Sequence, residues 1–157
     1  MKKILSLLII VVMFSCEKKV SYYELKNNDE TYYLKDKPFT GQALSDIEAK
    51  IPSTVYNFID GYKQSEIEYY SESAGGKIKH EKNFTMTILE DEKEYSQDGL
   101  LLKMVNYVWD EDRESAEVYI EWYDWCGKMK RRKSFKCDKS FDVIDVNYDQ
   151  EIPQPCN

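Results

Sequence analysis

Hydrophobic residues in this chain recur at every second position, in short runs broken by turn residues. Val118, Ile120 and Trp122 alternate with Tyr119, Glu121, Tyr123 and Trp125. Period two is the mark of a β-strand, because successive side chains leave opposite faces. Thr31 to Leu34, Val55 to Phe58, Ile67 to Tyr70 and Phe84 to Leu89 are further strand-prone runs, as are Leu100 to Trp109 and Phe141 to Tyr148. Leu100, Leu102 and Met104 are apolar on the face that is polar elsewhere, which predicts a central strand covered on both sides. Trp122, aligned with Val118 and Ile120, is predicted to be buried. Gln42 to Ile51 is ambiguous, since Leu44, Ile47 and Ile51 have helical spacing.

A glycine precedes several of these runs, and an aromatic follows it eight residues later. Gly61 leads to Tyr69, Gly76 to Phe84, Gly99 to Tyr107 and Gly127 to Phe135. The segments from Gly76 to Phe84 and from Gly127 to Phe135 are close to repeats of each other. Asp60-Gly61, Gly75-Gly76, Asp98-Gly99 and Cys126-Gly127 are therefore read as two-residue hairpin turns, where glycine supplies the positive φ. If Cys126-Gly127 is such a turn, Glu121 faces Arg132 and Glu117 faces Lys136. The predicted fold class is all-β: one domain over 31–150, made of successive hairpins in an antiparallel sheet. Its length is that of a single domain.

Lys37-Pro38-Phe39-Thr40-Gly41, followed by Tyr56, Asp60-Gly61, Glu66 and Tyr69-Tyr70, resembles the variant MORN repeat of YwqK-type antitoxin proteins. The likeness covers about Tyr32 to Phe135. It implies one short β-hairpin per unit and a protein-binding role, in its sharper form the neutralisation of a toxin. Spacings of 15, 23 and 28 between the turn glycines imply insertions between hairpins.

The first fifteen residues have the layout of a secretory signal. Lys2-Lys3 precedes an apolar run from Ile4 to Phe14, and Ser15 precedes Cys16. As a helix that run spans ~16 Å, short of the ~30 Å hydrocarbon core. Met13-Phe14-Ser15-Cys16 is similar to a bacterial lipobox, which implies that Cys16 is lipidated and anchors the chain to a membrane. Glu17, rather than Asp, follows the cysteine, which points by the same resemblance to the outer membrane. Residues 16–30 are then a lipidated cysteine with a flexible tether, and 151–157 a tail holding Pro153 and Pro155. Removal of 1–15 leaves 142 residues with a net charge of −9. Such a surface repels nucleic acid and suits a basic partner.

Three further cysteines remain. A strand from Gly127 to Cys137 would hold Cys126 and Cys137 ~36 Å apart, so Cys156 is the expected disulfide partner of Cys126. Cys137 is then a buried apolar residue or a free thiol. The cysteine spacing fits no zinc signature, and the only histidine is His80. No metal or cofactor is expected.

Candidate binding residues are Tyr119, Tyr123 and Trp125. Flat, rigid rings suit a protein partner and, by stacking, a glycan or peptidoglycan. The alternative is sheet packing, since aromatics bury readily. The basic run Lys128 to Lys136 splits between both strand faces and lies opposite Glu117 and Glu121, so a salt-paired hairpin is expected rather than a phosphate grip. Glu90-Asp91-Glu92 and Asp110-Glu111-Asp112 lack the alternation of a calcium loop. No nucleophile–base order or glycine-rich phosphate loop appears, so the chain is not expected to be an enzyme. The expectation is a lipid-anchored envelope protein that binds another protein, with glycan binding as the alternative.

Overall fold

The computed structural model describes residues 19–152. The strands are β1 (Lys19–Ser21), β2 (Lys26–Asn28), β3 (Thr31–Leu34), β4 (Lys37–Pro38), β5 (Gly41–Leu44), β6 (Thr54–Ile59), β7 (Tyr62–Tyr69), β8 (Ile78–Thr85), β9 (Ile88–Tyr95), β10 (Leu101–Trp109), β11 (Ser115–Tyr123), β12 (Met129–Asp138) and β13 (Val143–Glu151). The chain is all-β, as expected. β5 to β13 form consecutive antiparallel hairpins in a ten-stranded sheet, and β1 joins its far edge parallel to β5. β2, β3 and β4 make a small second sheet.

The large sheet is a single layer over most of its width. One row of cross-strand partners runs Gln42, Asn57, Ser65, Asn83, Asp91, Asn106, Tyr119, Ser134, Tyr148 and is polar at every step. Amides bridge it: Asn57 Nδ2 donates to Ser65 Oγ at 2.6 Å, and Asn83 Nδ2 to Asp91 Oδ1 at 3.0 Å. We call this the back face. The next row, on the front face, is apolar at Ala43 and Tyr56, charged at Glu66, Lys82 and Glu92, and apolar again at Val105 and Ile120. That row explains why there are two cores. Val20, Leu34, Phe39, Ala43 and Phe58 cluster under the small sheet. Val105, Ala116, Val118 and Cys137 form the second cluster, with Tyr107, Trp109, Ile120 and Phe135 around it.

Between the cores the charged side chains satisfy one another. Lys63 Nζ lies 2.8 Å from Glu66 Oε2 and 4.4 Å above the Phe84 ring. His80 Nε2 is 3.3 Å from Glu92. A continuous apolar stripe is unnecessary because each strand adds a partner for the charges of its neighbour.

Several expectations are corrected. β10 is central, but its back face is open: Val108 is exposed and Met104 only half-buried. Hydrophobicity on both faces of β10 reflects mutual cover by neighbouring side chains, not a second layer. Trp122 is half-buried, with the Arg131 guanidinium 5.1 Å from its ring. Residues 19–30, expected in a tether, instead form β1, a 3-10 turn and β2; Val20 is buried and anchors them. Gln42–Leu44, ambiguous by its spacing, lies in strand β5, as the repeat likeness implies.

The turns also differ. Asp60 and Gly61 are both left-handed, at φ 50° and 86°, the two-residue hairpin that was expected. Gly75 and Gly76 instead close a longer loop after the 3-10 turn Glu72–Ala74. At Gly99 and Gly127 the loops hold three residues, with glycine at the left-handed third position. Gly99 N–H donates to Ser96 O at 2.9 Å, and Gly127 N–H to Asp124 O at 3.0 Å. The loop after β11 is thus one residue longer than the Cys126-Gly127 turn. A bulge at Lys130 restores the register, and Glu121 pairs with Arg132 and Glu117 with Lys136 as expected.

Candidate functional site

Successive antiparallel strands place hairpin turns alternately at the two ends of the sheet. Gly75, Gly76, Gly99 and Gly127 all serve one end. At the other end only the β6–β7 turn uses glycine. The β8–β9 turn uses Met86 and Thr87 at φ 48° and 75°, the β10–β11 loop Arg113 at 59°, and the β12–β13 loop Phe141 at 64°. The β2–β3 turn adds Glu30 at 65°, and Thr87 Oγ1 donates to Glu30 Oε2 at 2.8 Å. Left-handed backbone at a non-glycine residue costs about 1–2 kcal/mol. Strain of this kind collects where side chains must stay in place for recognition.

All five of these residues line one groove of about 660 Å³. Its floor is Phe84, Ile88, Leu89 and Trp109, and Lys139 stands at the rim. A smaller cavity of about 180 Å³ shares Glu30, Phe84 and Thr87 and continues the groove past Lys63 to Tyr32.

The groove walls are fixed by the sheet. Trp109 Nε1 donates to Leu89 O at 2.8 Å, which sets the indole plane. Phe141 meets Tyr107 and Trp109 edge-on, at centroid distances of 5.6 and 5.9 Å. Tyr107 OH donates to Glu92 at 2.8 Å; burial, then that carboxylate, raise its pKa well above the usual phenol range. Asp110 holds the Arg113 loop: its carboxylate accepts from Ser115 Oγ at 2.7 Å and from Glu114 N–H at 3.0 Å. The Ser115 hydroxyl, with help from backbone N–H groups, keeps the Asp110 pKa low. Lys139 Nζ pairs with Glu114 at 2.8 Å. Exposed Met86 and Phe141, aromatic walls and rim charges make a surface suited to an amphipathic group.

The sequence-predicted binding residues lie elsewhere. Tyr119 and Tyr123 are half-buried on the back face of β11, and their hydroxyls donate to Glu117 and Glu121. Burial and the Glu121 carboxylate push the Tyr123 pKa up to about 12. Trp125 is 73% exposed, but it has left the strand and sits in the loop at the opposite end from the groove. The expected alternation therefore stops at Tyr123. Cys16 and Cys156 lie outside the described residues. Cys126 is disulfide-bonded, and Cys137 is a buried free thiol whose pKa is raised by burial. Among the described residues no group of His, Cys, Asp and Glu is arranged to hold a metal ion, and no helix is long and apolar enough to cross a membrane.

No sequence motif marks the groove, and two features touch only its Trp109 and Phe141 walls. Val105, Tyr107 and Trp109 share one face at period two. Asp138-Lys139-Ser140 reads as a turn that should end in glycine, yet Phe141 follows.

No family model matches this sequence, and no curated relative does. Two solved structures show limited likeness. The accessory secretory protein 1, 2 and 3 structure from Streptococcus pneumoniae aligns over 78% of this chain and 21% of that one, at 13% identity and a TM-score of 0.36. The GtfA/B complex bound to UDP and GlcNAc aligns over 83% and 29%, at 13% identity and a TM-score of 0.37. This chain thus spans less than a third of either, and likeness at that level carries no functional argument.

Proposed function

We propose that this protein is a lipid-anchored component of a bacterial cell envelope that binds another protein through the turn-end groove. The observation that supports this most is the contrast between the two ends of the sheet. One end is closed by glycines. At the other, bulky side chains hold left-handed backbone and frame an aromatic groove. Catalysis would require a nucleophile and base converging on a substrate, whereas recognition requires rings, aliphatic side chains and rim charges. The last is what lines the groove.

The likeness of Lys37 to Gly41 and Tyr56 to Tyr70 to variant MORN hairpins supports the same reading. Its sharper form is an immunity-like protein that neutralises a toxin. The lipobox-like Met13 to Cys16 supplies the proposed outer-membrane address. The competing reading, a glycan-binding lipoprotein, is favoured by the exposure of Trp125.

The test is affinity capture from the native envelope with wild-type chain, Met86→Asp and Trp125→Ala. Loss of one protein band with Met86→Asp alone is the expected result. Retention on peptidoglycan that is lost only with Trp125→Ala would establish the glycan reading instead. Labelling with a fatty-acid analogue, absent in Cys16→Ser, tests the anchor.

A further inference from the structure

From β7 to β13 the net charge of the strands changes sign at every step. β7 carries Lys63 against Glu66 and Glu68. β8 is basic, with Lys79 and Lys82 against Glu81, and β9 is acidic, with four carboxylates against Lys93. β10 has Lys103 alone, and β11 has Glu117 and Glu121. β12 carries five basic residues against Asp138, and β13 has Asp145, Asp149 and Glu151 with no base. The alternation is realised in contacts. Glu68 pairs with Lys79, Glu121 lies 3.5 Å from Arg132, and Arg131 binds Asp149 through two hydrogen bonds at 3.0 and 2.8 Å. Opposite charges on facing strands stabilise a pair and like charges destabilise it. Charge therefore helps to specify which strand stands next to which.

The series stops at an acidic strand. β13 ends the sheet order, and among the described residues nothing pairs with its outer edge. All nine of its residues are exposed, Val143, Ile144, Val146 and Tyr148 included. Edges of this length are usually shortened or covered, because their free N–H and C=O groups template another strand.

We propose that the outer edge of β13 accepts an extended basic segment of a partner protein as an eleventh strand. This rests on the protein-binding reading above and gives that partner a chemistry. Strand addition takes its affinity from main-chain hydrogen bonds and its selectivity from alternate side chains. Bulges at Ile144 and Asn147 bend the first half of β13, and Tyr148–Glu151 stays in unbroken register with Arg131–Ser134. Asp149 and Glu151 share the front face there, and Tyr148 and Gln150 the back. The incoming segment carries Lys or Arg at alternate positions on the front, with an apolar residue against Tyr148. A second copy of this chain fits poorly, because self-pairing of β13 sets acids against acids.

The experiment uses the mature chain and two labelled nine-residue peptides, one alternating Lys and Val and one alternating Glu and Val. Fluorescence anisotropy gives affinity, and amide hydrogen exchange gives the place of binding. The Lys/Val peptide is expected to bind at least about tenfold tighter at low salt, with exchange slowed over Tyr148–Glu151. Asp149→Lys/Glu151→Lys should reverse the preference. Equal binding of both peptides, protection confined to the groove, or β13 protection in the chain alone through self-association would each overturn the proposal. The exchange map of the wild type decides even if the double variant folds badly. An envelope protein captured through the groove with β13 left unprotected would sink the edge proposal alone. Failure to capture any protein would sink the protein-binding reading itself.

Discussion

Phe141 sets its ring edge-on to Trp109, with centroids 5.9 Å apart, from a backbone held at φ 64°. The two residues come from different hairpins, so the contact ties the β12–β13 loop to the groove wall. Phe141→Gly should ease the backbone and lose the ring, whereas Phe141→Ala loses the ring and keeps the strain. Urea unfolding is expected to show Phe141→Ala as the less stable of the two, by about 1 kcal/mol. Both should lose the groove's partner. Equal stability would mean the left-handed turn stores no strain.

Gly61 and Gly127 both need positive φ, at 86° and 78°, but their surroundings differ. A Cβ at Gly127 would meet open space. Gly127→Ala should then cost only the left-handed term, about 1–2 kcal/mol. At Gly61 a Cβ would come within 2.5 Å of Thr31 Cγ2 and 3.1 Å of Tyr32 O. Gly61 is also bonded on both sides, accepting from Tyr32 N–H and donating to Phe39 O at 2.8 Å each. Gly61→Ala should exceed about 2 kcal/mol, and Thr31→Ser should relieve part of it. A double-mutant cycle by thermal or urea unfolding checks the coupling.

How much of this was visible in the sequence can be judged from the β11–β12 hairpin. A two-residue turn at Cys126-Gly127 implies the facing pairs Glu117–Lys136 and Glu121–Arg132, and both are present. The loop is one residue longer than the expected turn, and a bulge at Lys130, which has no signature in alternation, keeps the pairs in place. The all-β class and the positions of most strands follow from period two, but Phe84 to Leu89, expected as one strand, straddles the Met86-Thr87 turn between β8 and β9. The second core and the groove do not follow from it. They arise when Trp109 and Phe141, 32 positions apart, are brought together by hairpin stacking. The reach of β11 differs for a related reason: Trp125 continues the alternation in sequence but falls beyond the end of the strand, where it is exposed.

Lys63 separates a structural ion pair from a decorative one. Its side chain is 21% exposed, between Glu66 and the Phe84 ring. Lys63→Met keeps the stem and strands a half-buried carboxylate, so a loss of about 1–3 kcal/mol is expected. Lys63→Met/Glu66→Gln should recover part of it. Lys79, paired with Glu68 in the open, should tolerate Met with no measurable change in the urea midpoint.

Alkaline pH should unfold this protein progressively. Burial, the largest cause in each case, raises the pKa of Tyr22, Tyr56, Tyr95, Tyr107 and Tyr123. A phenol whose folded pKa exceeds its unfolded value gives stability that is complete below the unfolded pKa, ~10. That stability is lost as pH rises through the folded values, about 12 for Tyr123. Urea midpoints should therefore fall above ~pH 10, with phenolate absorbance lagging that of the unfolded chain. Tyrosines titrating together at ~10 with constant stability would contradict the raised pKa values of these half-buried phenols.

The most direct test of groove recognition is photo-crosslinking in living cells. A photoreactive residue replaces Met86, inside the groove, or Trp125, at the far end of the sheet. The expected result is one discrete protein adduct from position 86 and none from position 125. Adducts equal at both positions, or protein adducts from position 125 alone, would contradict it.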